Sequence, residues 1–207
     1  MIIKQNSSKM IIVASLVCFF FGSPITFSQT QWVGTWVNAQ QLTEPNNNPP
    51  SPGLANNTLR QVVRVTLSGN QIWLLLLTAA ILYLFLKARL CVCWSDTLSY
   101  NLAALSTCAI SIYFGSAPSD VTGHPGSRTT SYLQSGNVVT NPSLSGSTTD
   151  HWYILTGIDV STDGTCAAMV TLGDSITDGR GSTTNQNNRW PPPGRSRKSS
   201  SDRSKHE

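Results

Sequence analysis

One segment of the sequence combines a possible nucleophile with the backbone features that such a nucleophile needs. Gly173-Asp174-Ser175-Ile176-Thr177-Asp178-Gly179 follows directly after the apolar run Ala167–Leu172. We predict a short buried strand over that run, ended sharply by the glycine. A serine at the end of a strand projects its hydroxyl beyond the sheet, and its own backbone N–H can stabilise a developing oxyanion. The pattern therefore indicates Ser175 as the nucleophile of a hydrolase.

The segment is not the Gly-x-Ser-x-Gly turn of other hydrolases, because Thr177 stands where the second glycine would be. It resembles block I of the SGNH/GDSL hydrolases, in which Gly-Asp-Ser is followed by an apolar residue and Thr-Asp-Gly. The resemblance implies that Ser175 is the nucleophile and that its backbone N–H is the first oxyanion donor. Asp174 and Asp178 are predicted to shape the turn and to support the serine without touching substrate, since aspartate caps such turns.

Longer stretches are similar to the N-terminal β-domain of one secreted branch of this family, the arylesterase/acylhydrolase-like group. The resemblance covers about residues 31–71 and 109–191. It implies an antiparallel β-sandwich or jelly-roll-like domain, followed by the first strand and nucleophile loop of a truncated flavodoxin-like α/β domain. It also implies an ester or acylated carbohydrate as substrate, with no metal and no organic cofactor. The similar stretches are Trp32–Trp36, Leu42–Pro45, Asn57–Arg64, Ser111–Tyr113, Gly123–Tyr132 and Asp150–Tyr153.

The alternation of apolar and polar residues predicts a mostly β domain on its own. Trp32–Ala39 and Thr58–Leu67 alternate as half-buried strands do, and Gly, Ser, Pro and Asp turns separate the later candidates. We therefore place a β-sandwich-like domain at residues 29–165 and the start of the hydrolase domain at residues 166–191. The later candidate strands are Ala109–Phe114, Thr129–Leu133, Trp152–Val160 and Ala167–Leu172.

The sequence does not match the rest of the family's catalytic residues. In the family, a glycine and an asparagine supply two further oxyanion donors, and an Asp-x-x-His pair near the C-terminus supplies the base and its orienting group. His124 lies in a turn of the β-domain, His151 follows Asp150 on a strand and so points to the opposite face, and His206 lies four residues after Asp202. The resemblance implies carboxylic ester hydrolysis as the activity of the family. We predict that this chain lacks that activity, because a serine needs an adjacent base.

Two segments depart from the family pattern. Ile72–Leu86 is almost entirely apolar where the family has an alternating strand, and we predict that residues 72–108 are mistranslated or inserted and pack poorly against the sheet. The second departure follows Pro191, where Pro192-Pro193-Gly194 forbids the helix that the family has. Residues 192–207 are predicted to be a disordered basic tail. Two alternative functions stay open, a non-catalytic secreted carbohydrate-binding β-sandwich and a single-span membrane protein anchored by residues 72–94.

The N-terminus predicts export. Lys4 and Lys9 precede the apolar run Met10–Phe21, and small residues before Gln29 offer a cleavage site, so residues 1–28 read as a signal peptide. The formal charge is +4. Two of these charges lie in the signal peptide and a net three lie after Trp190, which leaves −1 for residues 29–190. No basic face is left for nucleic acid, and a membrane partner is not expected.

Two further features suit a secreted protein. Asn56-Asn57-Thr58 is a glycosylation sequon in a polar stretch, so Asn56 is a predicted glycosylation site. Four cysteines follow the signal peptide, and they permit three disulfide pairings in an oxidising compartment. Their spacing lacks a second ligand pair, so no metal site is predicted. These four are Cys91, Cys93, Cys108 and Cys166.

Overall fold

The computed structural model of the chain describes residues 30–80, 89–118 and 120–189, with the backbone alone at residues 78–80 and 89–91. The predicted signal peptide at residues 1–28 and the predicted tail at residues 192–207 lie outside the described residues. So do residues 81–88, which include part of the apolar run Ile72–Leu86.

The described residues form twelve β-strands and one turn of 3-10 helix, Pro45–Asn47. The strands are, in chain order, β1 (Gln31–Val37), β2 (Gln41–Leu42), β3 (Asn57–Arg64), β4 (Gly69–Ala80), β5 (Arg89–Trp94), β6 (Leu98–Leu102), β7 (Thr107–Phe114), β8 (Thr122–His124), β9 (Ser131–Ser135), β10 (Ser147–Thr149), β11 (Trp152–Tyr153) and β12 (Leu155–Thr162).

The strands build three antiparallel sheets. The first sheet has the order β1-β12-β4-β5, and β6 also pairs with β4. The second sheet has the order β10-β9-β3-β7, and the small third sheet has the order β11-β8-β2. Because β1 pairs with β12, the two ends of the domain meet side by side in the first sheet, with Gln31 opposite Thr162.

The first and second sheets enclose the main core. Alternate residues of β3 and β7 face alternate residues of β4 and β12, as the period of two requires. A predominantly β chain with antiparallel sheets is therefore confirmed, and the packing is that of a sandwich. The buried residues of this core are Val63, Val65, Ile72, Leu74, Leu102, Cys108, Ile110, Trp152, Leu155, Ile158 and Val160.

A left-handed residue divides the stretch that the sequence predicted as one strand, Trp152–Val160. Ile154 has a φ of 62° between β11 and β12, which is uncommon for a β-branched residue. Its N–H donates to Thr122 O at 3.1 Å, and its carbonyl accepts from Leu77 N at 2.8 Å. The buried Ile154 thereby passes the chain from the third sheet to the first.

Strand β4 lies in the region predicted to be aberrant. Ile72 and Leu74 are buried in the core, and residues from Ile72 to Leu76 pair with β12. The expectation of poor packing is therefore wrong for this strand, because its core-facing residues are buried and its backbone pairs with β12 on one side and with β5 and β6 on the other. Among the described residues, no helix is long and apolar enough to cross a membrane.

The prediction of a strand at Ala167–Leu172 is wrong. These residues form no strand and are exposed, with Leu172 fully so. A strand of this composition is stable only when neighbouring strands supply hydrogen bonds and cover its side chains. Within the described part of the chain no strand pairs with it. The start of a parallel sheet is therefore not formed, and the segment runs as irregular backbone towards Ser175.

Candidate functional site

The block I residues form a compact, helix-like turn. The N–H of Asp178 donates to Asp174 O at 3.0 Å, and the N–H of Arg180 donates to Ser175 O at 2.8 Å. The Asp174 Oδ1 atom accepts the N–H of Ile176 at 2.9 Å, which closes the start of the turn. Asp174 thus makes the backbone contact that a turn-shaping residue requires.

Two glycines are required by the geometry of this turn. A Cβ at Gly173 would lie 2.7 Å from the Cβ of Thr177 and would collide with its hydroxyl. Gly179 has a φ of 93°, and a Cβ there would lie 2.6 Å from the Cβ of Arg189. Side chains at either position would open the turn, so the two glycines fix where Ser175 is presented.

Ser175 is exposed at the start of the turn. Its hydroxyl and its backbone N–H make no hydrogen bond with any described residue. The N–H is therefore free to donate to an oxyanion, as the block I resemblance implies. The hydroxyl makes no hydrogen bond with a possible base among the described residues.

The turn is fastened to the β-sandwich by an ion pair. Asp178 Oδ1 lies 2.7 Å from His124 Nε2, and His124 Nδ1 lies 2.7 Å from the carbonyl oxygen of Ala39. Both ring nitrogens thus face oxygen atoms, the Asp178 carboxylate on one side and the Ala39 carbonyl on the other. The sequence predicted a supporting role for Asp178, and the structure places its carboxylate on His124 at the end of β8.

Residues after the turn continue the attachment. The Arg189 guanidinium lies over the Trp152 ring at 5.0 Å and donates to Ser127 O at 3.1 Å. Thr184 Oγ1 donates to Asp150 Oδ2 at 3.0 Å. The Asn185 side chain accepts the Thr130 N–H and donates to the Thr130 hydroxyl, both at 2.8 Å. The segment from Asp178 to Arg189 is thus fixed along its length.

Charged groups cluster at this attachment. Burial lowers the pKa of the Arg189 guanidinium, while Asp178 raises it and Arg128 lowers it. Burial also lowers the pKa of the His151 ring, with a raising effect from Asp150 and a further lowering from His124. The Gly126 N–H donates to His151 Nδ1 at 2.8 Å, which requires that nitrogen to be unprotonated. His151 is therefore a neutral acceptor in the fold.

The structure shows which groups His124 and His151 contact. Neither His124 nor His151 makes a hydrogen bond with Ser175, because His124 faces Asp178 and Ala39 and His151 accepts the Gly126 N–H. The pairing of His124 with Asp178 was missed, because the two residues lie 54 positions apart and no local pattern joins them. Only the similarity of both surrounding stretches to one family hinted that they belong together.

The remaining predicted positions lie elsewhere. Asn56 is exposed in a turn with a φ of 58°, and its carbonyl accepts the Gly136 N–H at 2.9 Å. Cys108 is a buried thiol whose pKa is raised by that burial, and Cys166 is a half-buried thiol. No group of His, Cys, Asp and Glu residues within the described ranges could hold a metal ion.

No protein-family model matches the chain, and no curated protein matches it.

Proposed function

We propose that this chain carries the nucleophile segment of a secreted SGNH/GDSL-type serine esterase, fixed to the β-sandwich that accompanies it. The substrate class is an acyl or acetyl ester, carbohydrate esters included. Ser175 is the nucleophile, and its backbone N–H is the first oxyanion donor. The chain of 207 residues is proposed to be inactive by itself. It needs a catalytic base and two oxyanion donors from additional residues.

One observation carries this proposal. Three stretches that resemble the same family, Gly123–Tyr132, Asp150–Tyr153 and Gly173–Arg189, are brought into contact although they are far apart in sequence. The contacts are His124 with Asp178, Thr184 with Asp150, and Arg189 with Trp152. Stretches that resemble one family for unrelated reasons would have no cause to pack together. Their convergence supports the view that the β-sandwich positions the nucleophile turn.

The proposed inactivity follows from the proton that Ser175 must lose. When the serine oxygen attacks an ester carbonyl, its proton passes to a base, and the carbonyl oxygen gains negative charge. His124 already pairs with the Asp178 carboxylate and faces the Ala39 carbonyl oxygen, and His151 accepts the Gly126 N–H. Removing one oxyanion donor costs about 10²–10³ in rate, and here two donors are missing together with the base.

A completed catalytic domain tests the proposal. Residues 29–191 are joined to the catalytic remainder of an active SGNH esterase of the same branch, from its second block through its Asp-x-x-His pair. We expect hydrolysis of p-nitrophenyl acetate that is lost in Ser175→Ala and kept in Ser99→Ala, which changes an exposed serine on β6. A folded chimera whose hydrolysis does not depend on Ser175 contradicts the proposal.

Secretion is part of the proposal and has its own test. Because the signal peptide is predicted to end at Ser28, secreted protein should begin near Gln29. N-terminal sequencing of exported material that still begins at Met1 would refute it.

A further inference from the structure

The outer face of the first sheet carries an aromatic ledge formed by Trp32, Trp73 and Trp94. Trp32 and Trp73 stack with ring centroids 3.8 Å apart and an angle of 11° between planes. Trp94 meets Trp73 at 5.9 Å and 66°. These three indoles come from β1, β4 and β5, so the ledge crosses the sheet rather than following one strand.

Alternation along the strands places the ledge on the face away from the core. Ile72 and Leu74, which flank Trp73, are buried in the core, and so is Val33 beside Trp32. Successive side chains of a strand point to opposite faces, so the indoles point outward. Trp94 is 52% exposed although it is a large apolar side chain. Trp32 and Trp73 are half-buried beside it.

Polar groups lie among the indoles. The Trp73 Nε1–H donates to Thr97 Oγ1 at 2.6 Å, which fixes the ring orientation. Asp159 lies opposite Trp73 on one side and opposite Gly34 on the other. Its carboxylate accepts no hydrogen bond from the described residues, and burial raises its pKa. Trp32 and Trp73 cover one face of each other, so the ledge offers chiefly the exposed Trp94 ring, with the stacked pair and the unbonded Asp159 carboxylate beside it.

The charges at the ledge decide which ligand it suits. Single-stranded nucleic acid also stacks on aromatic rings, but it requires cations along its phosphates. Asp159 and Arg89 are the charged residues within the described strands of the first sheet. Arg89 pairs with Ala80, whereas Trp94 pairs with Leu75, so about 16 Å of strand separates them. Among the described strands of the first sheet, no cation lies beside the ledge, which disfavours a polyanion as its ligand.

We propose that the aromatic ledge and Asp159 bind a neutral carbohydrate chain. The apolar C–H face of a pyranose ring stacks on the exposed Trp94 indole, which the Trp32–Trp73 pair adjoins, and Asp159 accepts hydrogen bonds from the sugar hydroxyls. Stacking between Trp32 and Trp73 and the Trp73–Thr97 bond hold the rings in place before a ligand arrives, which lowers the entropy lost on binding. This site lies on the sheet and is independent of ester chemistry at Ser175.

The test measures binding of defined sugars by the purified chain. Cellohexaose, xylohexaose and mannohexaose are titrated while tryptophan fluorescence and calorimetry are recorded, with a thymidine oligonucleotide as the polyanion probe. We expect at least one hexasaccharide to bind and the oligonucleotide not to bind. Trp94→Ala should weaken binding about tenfold or more, as the loss of one stacking ring does on other aromatic platforms. Asp159→Asn should weaken it about tenfold, since hydrogen bonds to charged groups are the stronger ones.

Matched controls separate the ledge from general effects. Tyr113→Ala removes an exposed aromatic side chain from β7 of the second sheet and should bind as the parent chain does. Ser175→Ala should also bind normally, so a failure of the esterase proposal leaves this one intact. Thermal unfolding checks that each variant is folded. The proposal is overturned if no hexasaccharide binds, if Trp94→Ala binds like the parent chain, if Tyr113→Ala loses binding equally, or if the oligonucleotide binds instead.

Discussion

Removing the ion pair between His124 and Asp178 should release the turn around Ser175 from the β-sandwich. The two atoms lie 2.7 Å apart, the His124 side chain is 14% exposed, and the Asp178 side chain is 36% exposed. A hydrogen bond to a charged group contributes about 1.5–3 kcal/mol. Because the Asp178 carboxylate is partly exposed, solvent screening lowers this contribution to about 1 kcal/mol, the value found for surface ion pairs. We therefore expect a coupling of about 1 kcal/mol, or about fivefold in the opening of the turn.

Amide hydrogen exchange of the turn measures this coupling in a double-mutant cycle. Asp178→Ala, His124→Ala and the double variant are compared with the parent chain over residues 173–186. His124→Ala should cost more than Asp178→Ala, because it also removes the bond to Ala39. The cycle isolates the pair from that second bond. Asp96→Ala, which changes an exposed carboxylate outside the site, serves as the control. Unchanged exchange in Asp178→Ala, or strictly additive effects, would refute the attachment.

Three further predictions concern the fold around the site. The folded state disfavours protonation of His151, so its contribution to stability is present above the unfolded pKa of about 6.5 and is lost as pH falls through the lower folded pKa. The urea midpoint of the parent chain should therefore fall between pH 7.5 and pH 5.5 by more than the midpoint of His151→Asn, a variant that keeps an acceptor for the Gly126 N–H. An equal fall in both proteins would contradict this. Gly179→Ala should speed exchange across residues 174–182, because its φ of 93° and its approach to Arg189 exclude a Cβ, and unchanged exchange would count against that geometry. Gln61→Leu should destabilise the fold by about 2–4 kcal/mol, since it leaves the buried N–H and carbonyl of Tyr153 unpaired, whereas exposed Gln71→Leu should change urea stability little.

The sheets could be predicted from sequence where alternation is strong and both neighbours are present. Leu59 and Val63 alternate with polar residues in β3, and the strand forms between β7 and β9 as expected. Ala167–Leu172 has an equally apolar sequence, yet it forms no strand, because a strand depends on partners that its own sequence does not encode. The break at Ile154 was also missed, since a β-branched residue gives no sign of a left-handed conformation.

Only the turn around Ser175 could be predicted from the sequence, and its contacts with distant residues could not. The turn around Ser175 follows from residues within seven positions, so the glycines and Asp174 could be assigned to it. The partners of Asp178 and Arg189 lie on β8 and β11, and topology alone brings them close. The apolar run in β4 misled because its outward residues Trp73 and Leu75 are apolar as well and are half-buried, with Trp73 stacked on Trp32. A strand that is covered on both faces needs no alternation of apolar and polar residues.

Ester hydrolysis by the unmodified chain tests most directly the claim that Ser175 stands at the nucleophile position without a base. The purified protein and its Ser175→Ala variant are incubated with p-nitrophenyl acetate at equal concentration, after both are shown to be folded. Because the described histidines are engaged elsewhere, the two rates should be equal and at background. A clearly faster rate for the parent chain would show that a residue within these 207 positions acts as the base, and would contradict the account.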